Sequence, residues 1–183
     1  MEEFIKYLPA GAKILDAGCG AGRDTEWLRA AGFNAVGIDV STELIKNARQ
    51  QFPSANFTIG DLLSIPFEEN TFDGIWAHAA VVHFETSEQI ATCIEELHRV
   101  LKRDGILHLL VRANTGKKTE AKIDAISGGE RFYWNFDETE LDNLLSFRHF
   151  EIKKMMRYKE SDLDPRKRPE DGIEWLLVLA IRK

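Results

Sequence analysis

The chain has 183 residues, 44% of them hydrophobic and 30% charged, with a formal net charge of −6. This composition fits one globular domain spanning 1–183 with a continuous core, and the negative balance argues against a broad nucleic-acid-binding face. The cysteines, Cys19 and Cys93, match neither a disulfide framework nor a metal site and fit a reduced, cytoplasmic setting; the acidic N-terminus lacks a signal core, and no apolar run nears membrane-spanning length.

A short helix is expected over 2–8 and a first strand over 13–17. That strand ends at Asp16 and breaks into three alternating glycines, Gly18, Gly20 and Gly22, before an amphipathic helix that runs to Ala31 and stops at Gly32. Glycine lets the backbone turn tightly and approach a ligand closely, and the new helix aims its N–H groups at the turn. A dinucleotide-binding turn reads G-x-G-x-x-G. Here the spacing is G-x-G-x-G, with an acid two residues before the first glycine. A second strand, 34–39, closes with Asp39, 21 residues after Gly18. One helix and one returning strand of a βαβ unit place an acid there to take ribose hydroxyls. The alternative is that Asp39 only caps the helix beginning near Ser41.

That helix reaches about Phe52, just before Pro53. Strands at 55–60 and 72–77 follow. Thr86 and Gln89 form a capping box for a helix to about Lys102, with the apolar stripe Ile90, Cys93, Ile94, Leu97 and Leu101. Gly105 opens a strand over 106–112. The segment 113–131 is long for a connection and carries Gly116, Gly128 and Gly129, which suggests a mobile lid over a binding edge. Asp137 and Glu140 then cap a helix carrying Leu141, Leu144 and Leu145. Strands at 149–158 and 173–182, joined by a charged loop, form an antiparallel hairpin because no helix separates them. The alternation of strands and helices implies a doubly wound, mostly parallel α/β sheet with helices on both faces.

The turn Asp16-Ala17-Gly18-Cys19-Gly20-Ala21-Gly22, the acid of Gly37-Ile38-Asp39, and the segments Gly60-Asp61-Leu62-Leu63, Phe72-Asp73-Gly74-Ile75-Trp76 and Glu96 through Gly105 together resemble the class I S-adenosylmethionine-dependent methyltransferases. One departure is Asp104-Gly105, where the family has Pro-Gly before its fifth strand. The resemblance implies a seven-stranded sheet of order 3-2-1-4-5-7-6 with strand 7 antiparallel. It implies S-adenosylmethionine as cofactor and S-adenosylhomocysteine as product. It assigns cofactor binding to Asp16, Gly18, Cys19, Gly20, Gly22, Asp39, Val40, Asp61, Leu62 and Ala77. Within that set Asp61 faces the adenine amino group, the Leu62 N–H faces a ring nitrogen, and Asp16 helps hold the methionine ammonium.

Methyl transfer from a sulfonium releases a neutral group, so no acid is needed and a base only if the acceptor must lose a proton. The acceptor-side candidates are His83 as base, with Tyr133 and Arg131 walling the pocket beside Trp134. His78 sits against the cofactor and His108 is structural. Arg166-Lys167-Arg168 would grip an anionic acceptor. The expected partner is a small-molecule acceptor, without nucleic acid or membrane. The alternatives are an RNA- or protein-directed methyltransferase of the same fold, or a non-catalytic cofactor-binding subunit.

Overall fold

A computed structural model describes residues 1–123, 130–163 and 172–183. Among the described residues nine strands form one sheet: β1 Lys13–Ala17, β2 Asn34–Asp39, β3 Asn56–Ile59, β4 Phe72–His78, β5 Leu101–Ala113, β6 Thr119–Ile123, β7 Glu130–Phe136, β8 Phe150–Lys159 and β9 Glu174–Arg182. The parallel core runs β3-β2-β1-β4-β5. Beyond it β9 lies antiparallel to β5 and β8. Counted without β6 and β7, this is the expected 3-2-1-4-5-7-6 order.

Helices α1 Glu2–Ile5, α2 Arg23–Ala30, α3 Thr42–Gln51, α4 Ser87–Val100, α5 Glu138–Phe147 and α6 Glu160–Leu163, with a 3-10 turn at Val81–His83, complete the described elements. The stripe of α4 is buried at Ile90, Cys93, Ile94 and Leu97, in one core with Leu15, Ile38, Ile75 and Leu141. A second core joins Phe4, Ile14, Leu28 and Trp76 and seats α1 and α2. Ile45 and Ala48 of α3 pack on Phe57. The Thr86–Gln89 capping box is formed. Ser41 accepts from the Leu44 N–H at the start of α3.

Four expectations change. The opening helix is only α1, followed by turns. The α4 helix ends at Val100, and β5 begins at once with a register shift near Phe72 and Gly74. Asp104 there takes φ +61°, while a Cβ at Gly105 would lie 2.8 Å from the Lys102 carbonyl oxygen. Asp137 stands at the N-cap of α5, yet its side chain does not cap the helix; it accepts from Asn114 Nδ2 at 3.2 Å.

The fourth change matters most for function. Segment 113–131 is not one long connection. β6 and β7 pair antiparallel, and β7 joins the far end of β5 in parallel through Arg112–Asn135 and Ala113–Phe136. The aromatic run Phe132-Tyr133-Trp134 suits a pleated, half-buried surface, so this part of the segment is paired strand and not plain loop. Gly128 and Gly129 lie outside the described residues, as does Arg166-Lys167-Arg168.

Gly22 serves the fold. It sits at φ +85° as N-cap of α2, and an added Cβ would lie 2.5 Å from the Phe57 ring and 3.0 Å from Ala48 Cβ. Left-handed strain and overpacking act together, so Gly22→Ala is expected to cost about 2–4 kcal/mol. A urea midpoint that does not move would refute that packing argument.

Candidate cofactor and acceptor site

Open α/β sheets bind ligands beyond the carboxyl ends of their parallel strands, and the glycine turn lies there. The Gly18 and Cys19 N–H groups both donate to the Ile38 carbonyl at 2.9 Å, tying the turn to β2. Asp39 fastens the rest. Its Oδ2 accepts from the Gly20 N–H and its Oδ1 from the Ser41 N–H, each at 2.9 Å. Asp39 therefore does join the start of α3, as the capping alternative held, while also holding the glycine turn. Gly20 has φ +53°, and an added Cβ would meet nothing within 4 Å. At Gly18 a Cβ would lie 2.4 Å from Ala80 Cβ.

Two cavities meet at Gly18 and Gly20, which line both. The larger, about 420 Å³, is lined near the turn by Asp39, Val40, Leu44, Asp61 and Leu62. Its opposite wall is His83, Phe84 and Arg131. The smaller, about 230 Å³, is lined by Asp16, Cys19, Arg23, Asp24 and His78. Two expected cofactor residues, Gly22 and Ala77, and the acceptor-side candidate Tyr133 stand apart from this lining. Gly22 packs inward, and the Tyr133 ring lies against that of His83. Ala77 is fully buried, so the cavities are lined instead by His78 at the end of β4 and by Ala79 and Ala80 just after it.

Asp16 is sealed in the wall at 2% exposure and accepts from Thr25 Oγ1 at 2.6 Å. Burial outweighs that hydrogen bond and pushes its pKa up to about 7. Asp24 is different. Burial pulls its pKa upward, but the Arg23 guanidinium and the Trp76 N–H outweigh it and hold the group below the ordinary carboxylate value. Trp76 is itself stacked on His108, ring centroids 3.6 Å apart, and meets the edge of Phe4 at 5.4 Å. His108 is thus a core residue, and burial drives its pKa well down. Burial also lowers His78, which stacks on Trp76 at 5.3 Å.

On the acceptor side β7 brings the candidates together. His83 Nδ1 lies 3.1 Å from the Phe132 carbonyl oxygen, and its ring centroid is 5.0 Å from that of Tyr133. A carbonyl only accepts, so this contact assigns the proton to Nδ1 and leaves the Nε2 lone pair available. Desolvation lowers the His83 pKa, and the Phe132 carbonyl opposes the shift. Behind Tyr133, the buried Arg112 guanidinium lies 4.6 Å from the ring centroid and pairs with Glu120 at 2.9 Å. Trp134 alternates to the other side of β7, with the Lys118 ammonium 5.2 Å from its ring, and does not line the cavity.

Arg23, Asp24, Leu44, Ala79, Ala80 and Phe84 also line the cavities and were not expected from the sequence. Arg23 and Asp24 carried a usable signal, because they open the helix that follows the glycine turn. Ala79 and Ala80 carried none.

The sequence profile of the methyltransferase domain family matches residues 15–109. The chain belongs to this family. The methyltransferase-domain match covers the glycine turn, Asp39, Asp61 and His83, whereas β6 and β7 lie beyond it. Methyltransferase GfsG of Streptomyces halstedii is 33% identical over 125 residues, 63% of this chain and 44% of that protein. A malonyl-[acyl-carrier protein] O-methyltransferase of Pectobacterium atrosepticum is 29% identical over 108 residues, 58% of this chain and 42% of that protein. The chain spans under half the length of the curated relatives it matches. In three dimensions it superposes on a SAM-dependent methyltransferase of Methanosarcina mazei with TM-score 0.88 and 22% identity, covering 100% of this chain and 97% of that one. It also superposes on the 1,6-didemethyltoxoflavin-N1-methyltransferase of Burkholderia thailandensis, a structure with bound 1,6-didemethyltoxoflavin and S-adenosylhomocysteine, with TM-score 0.76, 24% identity and coverage of 100% and 76%.

Among the described residues no helix is long and apolar enough to cross a membrane, and no group of three His, Cys, Asp or Glu could hold a metal ion.

Proposed function

We propose that this methyltransferase-domain chain binds S-adenosylmethionine across the two cavities and methylates a small molecule, in the cytoplasm. The carrying observation is the open space at Gly20, where a Cβ would meet nothing, between a carboxylate at Asp39 and the charged pair Arg23–Asp24. That arrangement suits a ligand with ribose hydroxyls at one end and an α-amino acid at the other. Val40, Leu44 and Leu62 supply apolar surface for a flat base, and Asp61 an acceptor for its amino group. The ligand seen in the Burkholderia thailandensis neighbour supports a small acceptor.

Bound S-adenosylmethionine supplies an electrophilic methyl group on a neutral leaving thioether. The chain's own task is then to align the acceptor and keep water out. His83, Phe84 and Arg131 wall the space where the acceptor would lie. Tyr133, pinned by Arg112, braces His83. The free Nε2 lone pair of His83 is placed to take a proton from an acceptor that has one to lose.

Calorimetry with S-adenosylhomocysteine and NAD tests the cofactor reading; NAD binding without a response to S-adenosylhomocysteine would overturn it. A metabolite-pool screen with methyl-labelled cofactor then tests transfer. Turnover should fall as pH drops and His83 gains a proton, with the midpoint below the ordinary imidazole value of about 6.5. His83→Ala is expected to lower turnover roughly 100-fold or more and erase that acid limb. An acid limb that persists in this variant would remove His83 from the base role.

A further inference from the structure

The smaller cavity holds two carboxylates, and they are not equivalent. Asp16 is enclosed, with Thr25 donating to it. Asp24 stands at the cavity wall with 13% of its side chain exposed, and its two oxygens are fixed from opposite sides. Arg23 Nε donates to Oδ1 at 2.7 Å, and Trp76 Nε1 donates to Oδ2 at 2.9 Å. Trp76 is 2% exposed and wedged between His108 and Phe4, so the carboxylate is anchored on the core rather than on a mobile surface chain. The Arg23 side chain is 82% exposed and sits on the same wall. A fixed anion beside an adjustable cation is the complement of an α-amino acid zwitterion, which presents ammonium and carboxylate a fixed distance apart.

We propose that the Arg23–Asp24 pair is the receptor for the amino-acid end of the cofactor, with Asp24, positioned by Trp76, taking the ammonium in place of Asp16. This rests on the methyl-donor reading above. The charge states agree with it. Asp24 stays ionised at neutral pH, whereas Asp16 has lost much of its charge there. Placing the ammonium against Asp16 would require charging a sealed group already satisfied by Thr25, and buried charge is costly. At Asp24 the Arg23 guanidinium and the Trp76 N–H already outweigh the cost of burial, and the residue also lies in the first turn of α2, where a carboxylate is favoured.

The test is calorimetric and needs no acceptor. Wild type, Asp24→Asn, Asp16→Asn and Trp76→Phe are each titrated with S-adenosylhomocysteine and with its deaminated analogue, which lacks only the amine. Asp24→Asn is expected to weaken S-adenosylhomocysteine roughly 10–100-fold, the scale for a hydrogen bond to a charged group, and to leave the analogue's affinity within about twofold. Unchanged analogue binding also shows that the variant is folded. Trp76→Phe keeps the stacked ring but loses the N–H, and should give a smaller loss with the same selectivity. The double-mutant comparison isolates the Asp24–ammonium coupling. Equal losses for both ligands, or an amine-selective loss that follows Asp16→Asn and not Asp24→Asn, overturn the assignment. Wild type that binds neither ligand defeats the methyl-donor reading itself, which is a different result.

Discussion

Gly20→Val is expected to abolish S-adenosylhomocysteine binding, weakening it more than roughly 100-fold, while leaving the protein folded. The two effects separate because of where a side chain would go. At Gly20 an added Cβ meets no protein atom within 4 Å, so it intrudes only on the space where the two cavities join. The fold loses little beyond the left-handed penalty at φ +53°, about 1–2 kcal/mol. The neighbouring glycines behave differently. At Gly18 a Cβ would strike Ala80, and at Gly22 the Phe57 ring, so substitution there damages the protein before it reaches a ligand. Calorimetry paired with a thermal melt reads both quantities. A folded Gly20→Val protein that still binds S-adenosylhomocysteine normally would mean that the glycine turn does not cradle the cofactor.

Asp39→Ala is expected to weaken S-adenosylhomocysteine by about 2–3 kcal/mol, or roughly 30–160-fold. The carboxylate would accept ribose hydroxyls, and in the free protein it already ties the Gly20 N–H to the Ser41 N–H. Its removal therefore costs the ligand an acceptor and loosens the turn that faces it. Asp39→Asn should fall short of rescue, because an amide has a single acceptor oxygen and cannot serve both backbone donors. Affinity and unfolding midpoint should be measured together. If the midpoint drops and affinity holds, Asp39 is a tether of the α3 start and nothing more.

The parts of this protein set by rules of short range were legible in the residues themselves. Three alternating glycines signalled a tight turn, and Gly18, Gly20 and Gly22 all take positive φ there. The spacing to Asp39 followed from the length of one helix and one strand. The apolar stripe of α4 and the Thr86–Gln89 box followed from helical period and capping geometry. Even the antiparallel last pair followed from the absence of an intervening helix. Chain folding at long range decided the rest. β7 pairs with β6, but it is attached to the main sheet only by the end of β5, through a ladder of just two residue pairs. Until it forms, nothing places Tyr133 beside His83 or Arg112 behind Tyr133. Likewise Trp76 and Asp24, 52 positions apart, meet only because β4 lies next to β1, whose following turn starts α2. Backbone torsion and periodicity are local and can be read along a chain; which side chains share a cavity wall depends on the order of strands in the sheet, and that order exists only in the folded molecule.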